Sequence, residues 1–159
     1  MNIKLTAEVY RLGISIGIFT VQEVIKWADN IIDTLENPPY EIIDLSLSSK
    51  LNIEEFMLKL ELIKGDVEQG LPPKIILGLF NDYLNIQQNI NDVITIMDKL
   101  IKHLPEDCEW MEMEIHYLSD GFYLAKNEID GDLKGMTCEI KQFLNQFVDF
   151  RKCFGKWDF

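Results

Sequence analysis

The sequence predicts an all-α protein of seven to eight helices arranged as antiparallel helical hairpins, either in a HEAT- or TPR-like array or in a compact bundle. Three observations support this fold class: helix-capping residues recur, prolines fall between the caps, and apolar residues repeat every three or four positions. Only five prolines and nine glycines interrupt the 159 residues, which leaves long segments free to form helix. A chain of this length can bury one core, so residues 1–159 are predicted to form a single all-α domain.

Capping residues mark the starts of three helices. Thr20 precedes Glu23 by three positions, the spacing of a capping box, in which each side chain bonds to the backbone N–H of the other residue. Asn52 and Asn89 likewise have an acidic residue three positions later. The three caps lie 32 and 37 residues apart, which indicates a repeated unit.

Prolines fall between the caps at a similar spacing. Pro38-Pro39, Pro72-Pro73 and Pro105 are separated by 34 and 33 residues. Proline breaks a helix interior but fits a first turn, so each unit consists of a cap, a helix, a proline break and a second helix. A period near 34 residues with two helices is the size of a helical-hairpin repeat. The copies are few and diverged, so a chance spacing is the alternative.

Apolar spacing then places the individual helices. The second helix, for example, has apolar residues at three- and four-residue steps from Val24 to Leu35. YEIIDLSLS is the most strand-like stretch, and a strand is the alternative there. Near the C-terminus, Phe154 and Trp157 are expected to lie back against the body of the protein. The predicted helices span residues 3–17, 20–36, 39–48, 53–64, 72–86, 89–103, 106–128 and 132–150.

The net charge of −12 limits the classes of partner. Nucleic acid and anionic membranes both require a cationic surface, so neither is an expected partner. A basic protein would be attracted, although acidity that serves solubility alone is the alternative.

Glu8 and Arg11 interrupt the N-terminal apolar run that a signal peptide needs, and no run of about 18 apolar residues could span a membrane. Together with three cysteines that lack a CxxC spacing, this predicts a cytoplasmic protein with reduced thiols.

No arrangement of reactive residues identifies an enzyme. His103 and His116 each lack a second histidine three or four residues away, and Glu112 to His116 is one residue longer than the Glu-x-x-His spacing of di-iron bundles. Phosphate-binding loops and a GxSxG turn are also missing. We therefore expect no catalytic, cofactor-binding or metal-binding residues, with an enzyme of unrecognised type as a remaining alternative.

The stretch from Glu106 to Asp132 concentrates the charge. It holds nine acids and one base, a net charge of −8, whereas the other 132 residues carry −4. Wound as a helix at about 100° per residue, it has an ordinary core stripe that includes Cys108 and Met111. A second apolar face, edged by carboxylates, lies across the helix.

Two interpretations of that second face compete. If the helix is central, both faces pack internally and the acids lie in narrow solvated seams. If the face is exposed, its aromatic residues and methionine supply affinity for a protein partner and the carboxylates steer the encounter, as at many interfaces. The predicted partner-binding residues are Trp110, Met113, Tyr117, Glu109, Glu112, Glu114 and Asp120.

Three local patterns lie between about residues 12 and 66: Trp27-Ala28-Asp29 in a helix, P-x-x-[IL]-[IL]-D-L-[SA] from Pro39, and a helix opening with N-I-x-E at Asn52. With these patterns the segment resembles the opening of small bacterial immunity proteins, the partners of polymorphic or contact-dependent toxins. The resemblance implies a cytosolic, non-enzymatic, acidic protein that binds one toxin domain tightly. Many such toxins are nucleases with basic active sites, where an acidic surface would take the place of nucleic acid phosphates. No residue role carries over from it.

The leading hypothesis is therefore an acidic immunity protein that binds and neutralises a basic toxin domain. The alternative is a helical-repeat scaffold that holds a peptide or protein partner in the groove between hairpins. The oligomeric state stays open, because helical hairpins pair across a two-fold axis as readily as within one chain.

Overall fold

A computed structural model describes residues 2–155, and those residues form eight α-helices and two short 3-10 helices with no strand. The predicted all-α fold of seven to eight helices is confirmed. The 3-10 helices are Glu106–Cys108 and Phe150–Cys153. The α-helices are α1 Ile3–Ile16, α2 Val21–Thr34, α3 Tyr40–Ser46, α4 Ile53–Leu62, α5 Leu71–Gln87, α6 Ile90–Ile101, α7 Glu109–Lys126 and α8 Leu133–Asn145.

The predicted caps begin their helices. At α2 the Glu23 N–H donates to Thr20 Oγ1 over 3.3 Å and the Thr20 N–H donates to the Glu23 carboxylate over 2.7 Å, which completes the capping box. The side-chain oxygens of Asn52 and Asn89 accept the backbone N–H three residues later, over 2.9 and 3.3 Å. Local capping chemistry therefore explains why the sequence locates these helix starts closely.

Two of the sequence expectations are corrected. The strand alternative for residues 40–48 is wrong: α3 forms there, and Ile42 and Leu45, one helical turn apart, are both buried. The helix predicted for residues 132–150 ends at Asn145, after which hydrogen bonds between residues three apart tighten the chain into turns. Phe154 is buried, as expected, whereas Trp157 lies outside the described residues.

The described residues divide into two compact units between Val67 and Glu68. In the first unit, α1 packs on α4, and α3 packs on both α2 and α4. In the second, α5 packs on α6, α8 and the C-terminal 3-10 helix, while α7 packs on α6 and α8. The α5 helix is the most buried element, with an unbroken run of buried residues from Ile75 to Asn81.

This division bears on the predicted 34-residue repeat. The first predicted hairpin is present as the packed pair α2 and α3, and the third as α6 and α7. The second would join α4 to α5, and the boundary between the units falls between those two helices. Packing within the units therefore reproduces the first and third predicted hairpins but not the second.

The single-domain expectation for residues 1–159 stays a prediction. In the part of the chain from residue 2 to residue 155, no helix is both long and apolar enough to cross a membrane.

Charged side chains on α1 stabilise the first unit. Lys4 Nζ lies 2.7 Å from Glu8 Oε1 and also donates to the Glu61 carbonyl oxygen over 2.8 Å, which ties α1 to the end of α4. Arg11 Nε donates to the other Glu8 oxygen over 2.8 Å. Burial opposes the charged form, but the two cations hold the pKa of Glu8 below its ordinary value.

We expect Glu8→Gln to destabilise the protein near neutral pH by about 1 kcal/mol, because the neutral amide weakens both contacts. Since the folded pKa is lowered, the stabilisation is present above the ordinary pKa of glutamate and is lost as the pH falls through the folded value. The difference between variant and wild type should therefore shrink as the pH falls from about 5 to about 3. Urea unfolding at several pH values measures it. The control is Glu61→Gln, whose exposed side chain makes no ion pair among residues 2–155. A difference that is constant with pH would contradict the ionic origin.

Candidate partner-binding surface

One face of α7 is built into the core of the second unit. The predicted core stripe is confirmed, because its side chains are buried: Cys108, Met111, Ile115, Leu118, Phe122 and Ala125. Cys108 behaves as a core residue, since burial, reinforced by Asp107, raises the pKa of its thiol and disfavours the reactive thiolate.

The second apolar face of α7 is exposed. Trp110 keeps 48% of its surface accessible, Met113 67% and Tyr117 56%. These values are inconsistent with the interpretation in which both faces pack internally. Since large apolar side chains at helical spacing are not needed there for the core, the face is available to another molecule.

An aromatic cluster packs against one side of the Trp110 ring. Its ring stacks on Phe147, with 6.1 Å between centroids and 16° between planes. Phe147 is buried and contacts Phe143 and Phe150 at centroid distances of 5.2 and 6.3 Å. One side of the indole is thus covered by a fixed platform while a large part of the ring faces solvent. The sequence reasoning missed this platform, although the four-residue step from Phe143 to Phe147 was a signal for it.

Three of the four predicted carboxylates border the exposed face. Glu109, Glu114 and Asp120 are all exposed on α7. Glu112 differs, because the nearest residue of the stripe, Met113, lies about 100° of helix rotation away from it, whereas each of the other three acids lies within about 40° of a stripe residue. Its Oε1 atom is also 3.8 Å from Nε2 of His116, as the spacing of four residues predicts. Glu112 is therefore the weakest candidate of the four for partner contact.

A carboxylate from α8 joins the border. Glu139 raises the pKa of Tyr117, first because its carboxylate can accept a hydrogen bond from the Tyr117 hydroxyl and then through its negative charge. The sequence reasoning did not include Glu139, because it considered α7 by itself. We call the exposed set the α7 surface: Trp110, Met113, Tyr117, Glu109, Glu114, Asp120 and Glu139.

The acids of this region do not converge on one point. Between residues 2 and 155, no group of three or more His, Cys, Asp or Glu side chains is arranged to hold a metal ion. Along α7 the carboxylates instead border an apolar stripe, an arrangement that suits contact with a protein.

Comparison of the chain with protein-family models, with curated proteins and with solved structures finds no match. The resemblance to immunity proteins therefore stays a prediction.

Proposed function

We propose that this protein is an acidic, non-enzymatic inhibitor that binds a basic protein through the α7 surface. The partner class we propose is a toxin domain, the class implied by the resemblance to immunity proteins. The observation that carries the proposal is an exposed aromatic stripe, stacked on a fixed aromatic platform, within the segment that holds most of the net charge.

The apolar centre supplies the affinity. Trp, Tyr and Met are enriched at the centres of protein interfaces, and truncating one such aromatic anchor can remove much of the binding energy. The Trp110 ring already rests on Phe147, so little side-chain entropy is lost when a partner covers it. Met113 adds a flexible contact that adapts to the shape of the partner.

The carboxylates select a cationic partner. The net charge of −8 between Glu106 and Asp132 produces a local field that speeds the encounter with a basic protein. At close range, the exposed part of the Trp110 ring and the nearby Glu114 suit a lysine or arginine side chain, since the ring attracts a cation and the carboxylate accepts its hydrogen bonds. If the toxin is a nuclease, these acids would occupy the cationic site that otherwise binds phosphates.

A charge-reversal experiment tests the proposal. We expect Glu114→Lys/Asp120→Lys to lower the association rate with the toxin domain by about tenfold at low salt, because both residues border the apolar stripe. The effect should shrink as added salt screens the charges. The partner to try is a toxin-like domain encoded immediately upstream of this gene. Co-expression reports protection of the cells, and stopped-flow binding reports the rate.

The matched control is Glu61→Lys/Asp66→Lys, which makes the same change of net charge at exposed positions of the first unit. It should stay close to wild type. If both double variants slow binding equally, overall charge rather than the α7 surface steers the partner. If the chain protects cells from no such toxin domain, the inhibitor function is wrong, whatever the surface binds.

A further inference from the structure

A second exposed apolar stripe lies on α3, in the first unit. Tyr40 keeps 75% of its surface accessible and Leu47, which directly follows the helix, keeps 79%. Ile43, between them at the three- and four-residue steps of one helical face, is also exposed. The sequence predictions for this segment concerned a repeat helix, a strand alternative and a family resemblance, and none of them assigned these residues to a binding surface.

The outward orientation of this stripe is fixed by the rest of the unit. Ile42 and Leu45, on the opposite side of α3, are completely buried. The Ser46 hydroxyl donates to Asp29 on α2, and Lys59 on α4 forms an ion pair with Asp44. Because α3 is held on two sides, it cannot rotate to bury the stripe without losing these contacts.

The α2–α3 hairpin is also the acidic part of its unit. Residues 21–47 hold six acids and one base, a net charge of −5, and the rest of residues 1–67 is neutral. Glu41 is paired with Lys64 at 3.1 Å. Asp33 and Glu36, by contrast, are exposed and make no ion pair within residues 2–155. The stripe therefore lies on a hairpin whose negative charge the rest of the unit leaves uncompensated.

This charge distinguishes between possible occupants. A second copy of the chain would bring two hairpins of charge −5 together, and like charges across an interface oppose association. A cationic partner has the complementary charge. A helix fits the geometry as well, because three apolar contacts over two turns match the apolar face of an amphipathic helix.

We propose that α3 binds a cationic amphipathic helix of a partner protein, at a site separate from the α7 surface. We call this site the α3 surface: Tyr40, Ile43 and Leu47, with Asp33 and Glu36. Apolar residues of the partner helix pack on the stripe, and its flanking lysine or arginine side chains face the two carboxylates. The proposal does not depend on the partner that the α7 surface binds.

Three synthetic peptides of about four helical turns test this by NMR with the full-length chain, labelled with nitrogen-15. The first is an amphipathic leucine–lysine helix, the second has the same composition scrambled to remove the apolar face, and the third replaces lysine with glutamate. All titrations use Trp110→Ala protein, so that the α7 surface contributes little. We expect only the first peptide to shift the backbone amide signals of α3.

A variant pair then locates the site. Tyr40→Ala/Leu47→Ala should weaken binding of the first peptide at least tenfold, since it removes the two most exposed apolar side chains of the stripe. Leu58→Ala/Leu62→Ala truncates two exposed leucines of α4 and should leave the affinity unchanged. Circular dichroism confirms that both variants keep their helices.

Three results would overturn the proposal. Equal binding of the scrambled peptide would mean that charge alone acts, and unchanged affinity of Tyr40→Ala/Leu47→Ala would place the peptide elsewhere. A dimer of the free protein in sedimentation experiments, lost in the same variant, would assign the stripe to a second copy of the chain.

Discussion

Replacing Trp110 by alanine is expected to weaken binding of the basic partner by about 2 kcal/mol or more, which is roughly a 30-fold increase in Kd. The side chain has the largest apolar area of the α7 surface, and its position on the Phe147 platform is set before the partner arrives. Its removal takes away the anchor and leaves the carboxylates to bind at an interface that water can enter. Isothermal titration calorimetry with the purified toxin domain measures the change.

Folding should be much less affected by this substitution. Trp110 is half exposed, and its one described ring contact is the stack on Phe147, worth about 1 kcal/mol. Tyr123→Ala is the matched control, because Tyr123 is also an exposed aromatic residue of α7 but lies about 120° of helix rotation from Tyr117. Equal losses of affinity in the two variants, or none in Trp110→Ala, would show that the aromatic stripe is not the binding centre.

Replacing Gly78 by alanine is expected to lower the free energy of unfolding by about 1–3 kcal/mol. A Cβ atom at this position of α5 would lie 2.6 Å from the Phe147 carbonyl oxygen and 2.9 Å from Arg151 Cβ. Both atoms are part of, or next to, the backbone, so neither can swing aside. Arg151 is also ion-paired with Asp82 on α5, and any displacement of the 3-10 helix disturbs that pair.

Gly121→Ala separates this clash from the general effect of removing a helical glycine. A Cβ atom at Gly121 of α7 would meet the Met136 methyl carbon at 2.7 Å, which is the free end of a flexible side chain. Alanine favours helix over glycine by up to about 1 kcal/mol, so this variant should be close to neutral. Thermal unfolding distinguishes the two variants, since each kcal/mol of destabilisation lowers the Tm by about 2–4 °C. Equal stability of the two variants would contradict the close approach at Gly78.

The helices were predictable because their signals are local. Thr20, Asn52 and Asn89 cap the helices that follow them, and a cap requires only residues within one turn. The early end of α8 was not predictable in this way. Residues 146–154 contain no proline or glycine, and the chain tightens there where Phe147 packs into the aromatic cluster. The division between α4 and α5 likewise depends on which helices pack together. Helix caps and proline spacing are local signals and do not predict that packing.

The sequence by itself determined that α7 has two apolar faces bordered by acids and that this segment holds most of the net charge, because both follow from spacing along one helix. Only the tertiary structure decided that Trp110 and Tyr117 face solvent, that Glu139 of α8 joins their border, and that α3 turns a second apolar stripe outward. The physical reason is that periodicity defines the faces of a helix, whereas exposure depends on how many neighbours pack against it. The core of the second unit is closed by the face of α7 that carries Met111 and Ile115, which leaves the opposite face open to a partner.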